Sequence, residues 1–596
     1  MREADAVLGI IRDRGRRGLP LERVYRLLFN RELYLLAYGR IYRNAGALTP
    51  GATEETADGM SLAKIDAVIE ALRFERYRWT PARRVYIEKK NSTKKRPLGL
   101  PTWSDKLVQE VIRLILDAYF EPRFSDRSHG FRSGRGCHTA LRDIHRTWNG
   151  TTWFIEGDIR ACFDSLAHDV LLGILAERIH DGRFLRLLGE LLKAGYLEDW
   201  TFNATLSGAP QGGVASPILS NIYLDRLDRW IETELLPAYN RGTERRANAA
   251  YHTTNARAHY LAKTGRRAEA RTLRQQAKGM PSQDPADPGY RRLRYVRYCD
   301  DFLLGFIGPR AEAEEIKRRI GQFLRDELKL ELSDTKTLIT HARTSAARFL
   351  GYEVNVLQDN TARDRTGRRI INGVVGLRAP LDVVRSTCAP YLFHGKPIHR
   401  AERLRDSVFT IVATYQQEYR GVVEYYRMAF NLHRFDRLKW VMETSLTKTL
   451  AAKLRISVPK VYDRYQAVLR TPDGAYKGLR ATVEREGKRP LVAEWGGIAL
   501  KRNLDVALDD HPAPVRHGRT ELEQRLLADE CELCGSRTNV EVHHIRALKD
   551  LKTRGRAEKP AWVRAMAARQ RKTLVVCRAC HQDIQYGRPL RHVNAA

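Results

Sequence analysis

Residues 294–306 read RYVRYCDDFLLGF, two β-rich runs that meet at Asp300-Asp301. Tyr, Val, Phe and Leu on either side of the acids predict a hairpin whose bend carries both carboxylates. Upstream, WFIEGDI (153–159) sets apolar side chains on a strand that ends at Asp158. Nucleotidyl transfer through two divalent ions about 3.5–4 Å apart needs carboxylate oxygens on rigid supports. A strand-end Asp158 beside Asp300 and Asp301 would supply such a cradle. On residue type alone the signal is weak, and an isolated Asp-Asp reads as a solvated turn.

The rest of the chain narrows the choice. With 596 residues it exceeds one hydrophobic core, and 43% hydrophobic with 29% charged residues is the balance of a folded protein. Lys and Arg number 104 against 71 acids, a net charge of +33. Such a surplus attracts a polyanion through counterion release, so nucleic acid is the leading partner class. Aromatics interleaved with the charges, as in RYRWTPARRVY (76–86), suit stacking on bases or sugars. Charges within the first twenty residues exclude a secretory signal, and no apolar run approaches the roughly 20 residues of a spanning helix. A cytoplasmic location is expected. Four of the eight cysteines are scattered and four form two C-x-x-C pairs, which points to metal rather than disulfides.

Residues 1–85 carry helical periodicity, and RRVYIEKKNSTKKRPLGLP (83–101) reads as a basic hairpin turning at Asn91-Ser92. The Arg-rich stretch 240–293 reads as a helical insertion with a proline-punctuated exit. AEAEEIKRRIGQFLRDEL (311–328) is amphipathic, residues 380–480 read as a basic helical region, and DDHPAPVRHGRT (509–520) as a linker.

Seven blocks now stand in order: RPLGLPTWSDKL (96–107), FSDRSHGFRSGRGCHTAL (124–141), WFIEGDIRACFDSLAHDVLL (153–172), SGAPQGGVASPILSNIYLDRLD (207–228), RYVRYCDDFLLGF, LELSDTKTLIT (330–340) and RFLGYEV (348–354). That series resembles the reverse-transcriptase blocks of group II intron-encoded proteins. R-G-V-V-E-Y-Y and K-T-L-A-A-K-L further on resemble their thumb, or maturase, domain. The resemblance implies an α+β chain with a right-hand polymerase of fingers, palm and thumb. It divides as a helical extension (1–85), fingers and palm (86–360), thumb/maturase or X domain (375–480), DNA-binding region or linker (481–520) and a small zinc-stapled ββα HNH-like domain (521–596).

Residue by residue, Asp158, Asp300 and Asp301 match the family's metal-binding carboxylates, which take two Mg²⁺ ions. Cys299 stands where the family usually has Ala. Phe163 matches the ring under the incoming sugar, although core packing is its alternative reading. Gln211 matches the residue that touches the nucleotide, and Gly212 and Gly213 would let backbone approach it. Lys89 and Arg96 match positions that grip the triphosphate, or else are two more solvated bases. Lys336 receives no role.

Cys531-x-x-Cys534 and Cys577-x-x-Cys580 signal a structural Zn²⁺, since four thiolates close a tetrahedral site. With Val542-His543-His544-Ile545 between the pairs and His581 after the last cysteine, the module resembles an HNH endonuclease domain. The likeness implies His543 and His581 as ligands of a further divalent ion and His544 as general base. Thr573 stands where an Asn is frequent and Gln585 where a His is expected, so binding of DNA without cleavage stays open.

The implied function is RNA-directed DNA synthesis and intron splicing within a ribonucleoprotein. It would act by target-primed reverse transcription on target DNA, primer and deoxynucleotide triphosphates, with target nicking. The alternatives are an RNA-binding maturase and a host-recruited reverse transcriptase without nuclease activity.

Overall fold

Apolar alternation on the strands around the acids has to satisfy two cores at once. In the computed structural model, Phe302, Leu304 and Phe306 face one hydrophobic cluster while Leu303 faces another, because successive side chains leave a strand on opposite faces. The structure describes residues 3–44, 46–88, 95–199, 201–205, 207–208, 212–359, 361–365, 370–485, 488–506, 520–546, 551, 560–569 and 571–590.

In chain order, the N-terminal helices are α1 (Ala4–Arg16), α2 (Arg31–Ile41) and α3 (Leu62–Arg73). Strands β1 (Ala82–Glu88) and β2 (Lys95–Leu100) form the predicted basic hairpin, whose expected turn at Asn91-Ser92 lies outside the described residues. After α4 (Trp103–Phe120) come β3 (Trp153–Asp158), β4 (Tyr196–Glu198), β5 (Thr201–Asn203) and α5 (Ser216–Trp230). β4 pairs with β1, and β5 with β4, giving a second four-stranded sheet.

The predicted insertion holds α6 (Ala249–Lys263) and α7 (Arg267–Gly279). Its two ends are stitched together by the Arg241–Arg291 bridge, which lets it interrupt the chain without disturbing the sheet. Then follow β6 (Arg292–Tyr298), β7 (Asp301–Ile307), α8 (Arg310–Leu328) and β8 (Ile339–His341), and after them a three-stranded antiparallel sheet of β9 (Ala347–Phe349), β10 (Tyr352–Val356) and β11 (Val375–Arg378). The central sheet has the order β8-β3-β7-β6, antiparallel throughout. One face packs on α4, α5, α8 and the N-terminal helices; Phe154, Val296 and Leu303 on the other join a cluster built with α9 (Val408–Tyr425) and α10 (Asp436–Leu454).

The region 380–480 is helical only in part. β12 (Gln466–Thr471), β13 (Gly474–Arg485) and β14 (Lys488–Trp495) form an antiparallel sheet against α9. The expected boundary at 480/481 therefore falls inside β13. Alternation decides the strand: Leu479 and Ala481 are buried between exposed Arg480 and Thr482.

The C-terminal module has α11 (Glu521–Leu527), the paired strands β15 (Val540–His544) and β16 (Thr573–Cys577), and α12 (Arg578–Gln585). It does not stand apart. Leu522, Leu526, Val540, Val542 and Val575 share one continuous core with α2, α3 and α4. No described helix is long and apolar enough to cross a membrane.

Candidate active site

Register places the first acid. Asp158, the last residue of β3, lies directly opposite Asp301, the first residue of β7. Asp301 in turn pairs with Tyr298 across a bend of only Cys299 and Asp300. Cys299 takes the left-handed conformation (φ 57°), which strains a residue with a side chain. Gly130 passes so close that a Cβ there would lie 2.4 Å from the Cys299 sulfur.

Beneath the bend sits a fully buried ion pair. Arg297 Nε donates to Asp228 Oδ1 at 2.8 Å and Nη2 to Oδ2 at 2.6 Å. Its Nη1 donates to the Cys299 carbonyl at 2.8 Å, and Tyr295 Oη donates to Asp228 at 2.7 Å. The guanidinium thus ties the acidic bend to α5.

Three carboxylates so close resist ionising together. Desolvation, then the charges of Asp300 and Asp158, pushes Asp301 up to about 7, and desolvation also raises Asp300. The cation that answers them is Lys336, whose Nζ lies 2.9 and 3.0 Å from the two oxygens of Asp158. Sequence reading gave Lys336 no role. Exposed Arg96, on β2 opposite Ile87, acts on Asp300 as a nearby positive charge.

Phe163 is half-buried in a short helix, Cys162–Ser165, entered through left-handed Ala161. Gly212 spends its missing Cβ on the fold: a Cβ would lie 2.6 Å from the Gly99 carbonyl in β2, so the close approach is to that strand. Lys89 and Gln211 lie outside the described residues.

In the C-terminal module Cys531, Cys534, Cys577 and Cys580 converge, all four sulfurs within 4.8 Å of one another. Cys534 and Cys577 are 3.7 Å apart at sulfur. Four sulfurs about 2.3 Å from a tetrahedral Zn²⁺ would be about 3.8 Å from each other, so the set fits zinc. The amides of Cys534 and Cys580 point at the sulfurs of Cys531 and Cys577, as thiolates favour.

His543 and His581 also converge, and Asp58 of the N-terminal region joins them. His581 Nδ1 is held by Glu541 at 2.7 Å, leaving Nε2 to face Asp58. Desolvation works to lower His581, but its bonds to both carboxylates outweigh it and push it up to about 9. His544 is buried, with Nε2 2.8 Å from Tyr38 Oη. Desolvation lowers it to about 4 and keeps it neutral, the form a base requires. Opposite His544 across the strands, Thr573 receives Arg525 on both its hydroxyl and its carbonyl. Sequence reading identified neither Asp58, Glu541 nor Tyr38.

Comparison with known proteins meets this geometry from another side. The reverse transcriptase (RNA-dependent DNA polymerase) family matches residues 87–354, the type II intron maturase family 385–484, and the AI2M/AI1M-like HNH endonuclease family 531–581. The group II intron-encoded protein LtrA of Lactococcus lactis subsp. cremoris is 38% identical over 588 residues, covering 94% of this chain and 95% of LtrA. The chain belongs to the group II intron-encoded reverse transcriptase–maturase family. It carries a right-hand polymerase domain and an HNH domain, and is an RNA-directed DNA polymerase with a splicing-maturase region. Other relatives are a 91 kDa protein in the cob intron of Schizosaccharomyces pombe, 34% identical over 94% of this chain and 69% of its own length, and nuclear intron maturase 2, mitochondrial, of Arabidopsis thaliana, 24% identical over 83% and 74%.

Proposed function

We propose that Asp158, Asp300 and Asp301 hold the two Mg²⁺ ions with which this polymerase copies intron RNA into DNA from a target-DNA primer. The observation that carries the reading is the Asp158–Asp301 register, with Asp300 at the adjoining bend. When bound, the ions supply charge for the attacking hydroxyl and the triphosphate. The chain itself fixes the acids, and Arg96 offers a cation to the incoming phosphates. Without the ions, Lys336 balances Asp158 by their ion pair, and it gives way when the ions bind. Lys89, Phe163 and Gln211 belong to the nucleotide site in this reading.

Residues 86–360 form the fingers and palm and 375 to about 495 the thumb and maturase domain, with basic surface toward intron RNA. Residues 521–596 are a zinc-stapled nuclease, with Zn²⁺ on the four cysteines and His543, His544 and His581 serving cleavage of target DNA. Its setting favours cutting. His544 lines a cleft of about 1010 Å³ between the segment that follows α2 and the module, with Arg43, Arg525, Arg546, Arg571 and Lys572 on its walls. Arg43, Arg546 and Lys572 beside a neutral imidazole suit a phosphate backbone, while Arg525 and Arg571 are ion-paired to Glu532 and Glu521.

The experiment is paired. Asp300→Ala with Asp301→Ala should reduce cDNA synthesis on a primed RNA template by about a thousandfold or more, since several kcal/mol of charge stabilisation is lost. Splicing of the cognate intron should continue. Persistent cDNA synthesis in that double variant would overturn the site.

A further inference from the structure

The histidine pocket is built from both ends of the chain. The loop before α3 is pinned to the free edge of β15 by an antiparallel bridge at Met60 and Val542, with Gly59 N donating to Val542 O at 2.9 Å and Val542 N to Met60 O at 2.8 Å. Two residues ahead of that bridge residue, Asp58 turns its carboxylate between the histidines. Oδ1 accepts from the His544 amide at 2.7 Å and lies 3.5 Å from His543 Nδ1. Oδ2 lies 3.2 Å from His581 Nε2 and accepts from Gln585 Nε2 at 3.2 Å.

A simple ion pair would need one imidazole. Here two imidazoles and an amide converge on one carboxylate. His543 is only 7% exposed, and neither of its ring nitrogens has a hydrogen-bond partner among the described residues, Nδ1 being the one that faces Asp58. A buried imidazole nitrogen left unpaired is costly, and an ion is what repays it. Glu541 completes the pattern, since a carboxylate on the far nitrogen orients a metal-bound histidine. Gln585 is a neutral amide where the HNH pattern expects histidine. Rotating that amide presents its oxygen, and an anionic oxygen arrives from Asp58, 527 residues away.

We infer that Asp58 is a protein ligand of the divalent ion in the C-terminal module, completing with His543, His581 and Gln585 a site that neither end of the chain contains alone. This rests on reading the module as a metal-dependent nuclease. Ion binding and docking of the 51–60 loop are then linked, each strengthening the other.

The test uses the full-length chain with Asp300→Asn and Asp301→Asn, so that the polymerase acids do not compete, and titrates Mn²⁺ by the paramagnetic signal of the free ion. The parent should bind Mn²⁺ at this site. Asp58→Ala and the isosteric Asp58→Asn should each weaken binding by about tenfold or more, as His581→Ala does, and Asp58→His should recover most of the loss. Mn²⁺ should also raise the unfolding temperature of the parent and not of Asp58→Asn. Binding by Asp58→Asn as tight as the parent's, or tighter, would overturn the inference and make Asp58 a docking contact. A parent in which neither Mn²⁺ binding nor its loss in His581→Ala is seen would overturn the nuclease reading itself, and the inference with it.

Discussion

The acidic bend and the histidine pocket gather charged ligands by opposite means. Asp158 and Asp301 come from adjacent strands of one sheet and Asp300 from the two-residue bend between strands, so register and a tight bend set their separation. Asp58, His543 and His581 come from a loop near one end and a hairpin and helix near the other, joined by a two-residue bridge and a shared core. The first arrangement is fixed once the sheet forms. The second exists only while two regions stay docked.

The largest effect should separate the two regions through zinc. Structural zinc contributes roughly 10–16 kcal/mol to folding in small zinc-bound modules. Removing it with a zinc-selective chelator, with Mg²⁺ kept in excess, should expose residues 521–596 to limited proteolysis and abolish ion binding at the histidine pocket. Primer extension, read in the same sample, should persist. A protease-resistant module without zinc would contradict the assignment of the four cysteines.

A smaller effect probes what underpins the bend. Arg297→Ala leaves Asp228 buried without its cation, a loss of about 3–5 kcal/mol. Denaturant unfolding should show that loss, and cDNA synthesis should fall because the Cys299 carbonyl loses its donor. Unchanged stability would mean that the pair is not the anchor described.

Smaller still is the response to pH, and it has its own window in each of the two regions. Asp301 is raised to about 7, so the metal-free bend gains repulsion as pH rises from the ordinary carboxylate range through 7. Metal-free stability from that group falls over this window. His581 is raised to about 9, so its stabilisation is fully present below about 6.5 and is lost as pH climbs through 9. Below pH 7 a proton competes with Mg²⁺ at the bend, and apparent Mg²⁺ affinity in primer extension should fall by up to about tenfold per unit. A flat Mg²⁺ requirement between pH 6 and 8 would contradict the shared-proton account.

What the sequence revealed follows the same division. Strand periodicity and a two-residue bend placed the acids on strand ends, and the ordered series of seven blocks was needed to bring Asp158, Asp300 and Asp301 together. The four cysteines were readable from spacing. Lys336 was not, because its contact with Asp158 depends on where the turn after α8 falls. Arg297 left a signal that went unused: a charge on the same strand face as buried Leu293 and Tyr295 implies a buried partner. Asp58 left none, since GATEETADGM (51–60) lies in a stretch read only as helical and acquires meaning only against β15. The strands after residue 466 were hidden by the helical pattern preceding them, though the alternation around Leu479 and Ala481 was there.

The most direct test is a crystal of the full chain with primer, RNA template and a non-reacting nucleotide, soaked in Mn²⁺ and measured for anomalous scattering. The account predicts two peaks about 3.5–4 Å apart between Asp158 and the Asp300-Asp301 bend, with Lys336 moved off Asp158. A map with no ion there, and Lys336 still paired with Asp158, would contradict it.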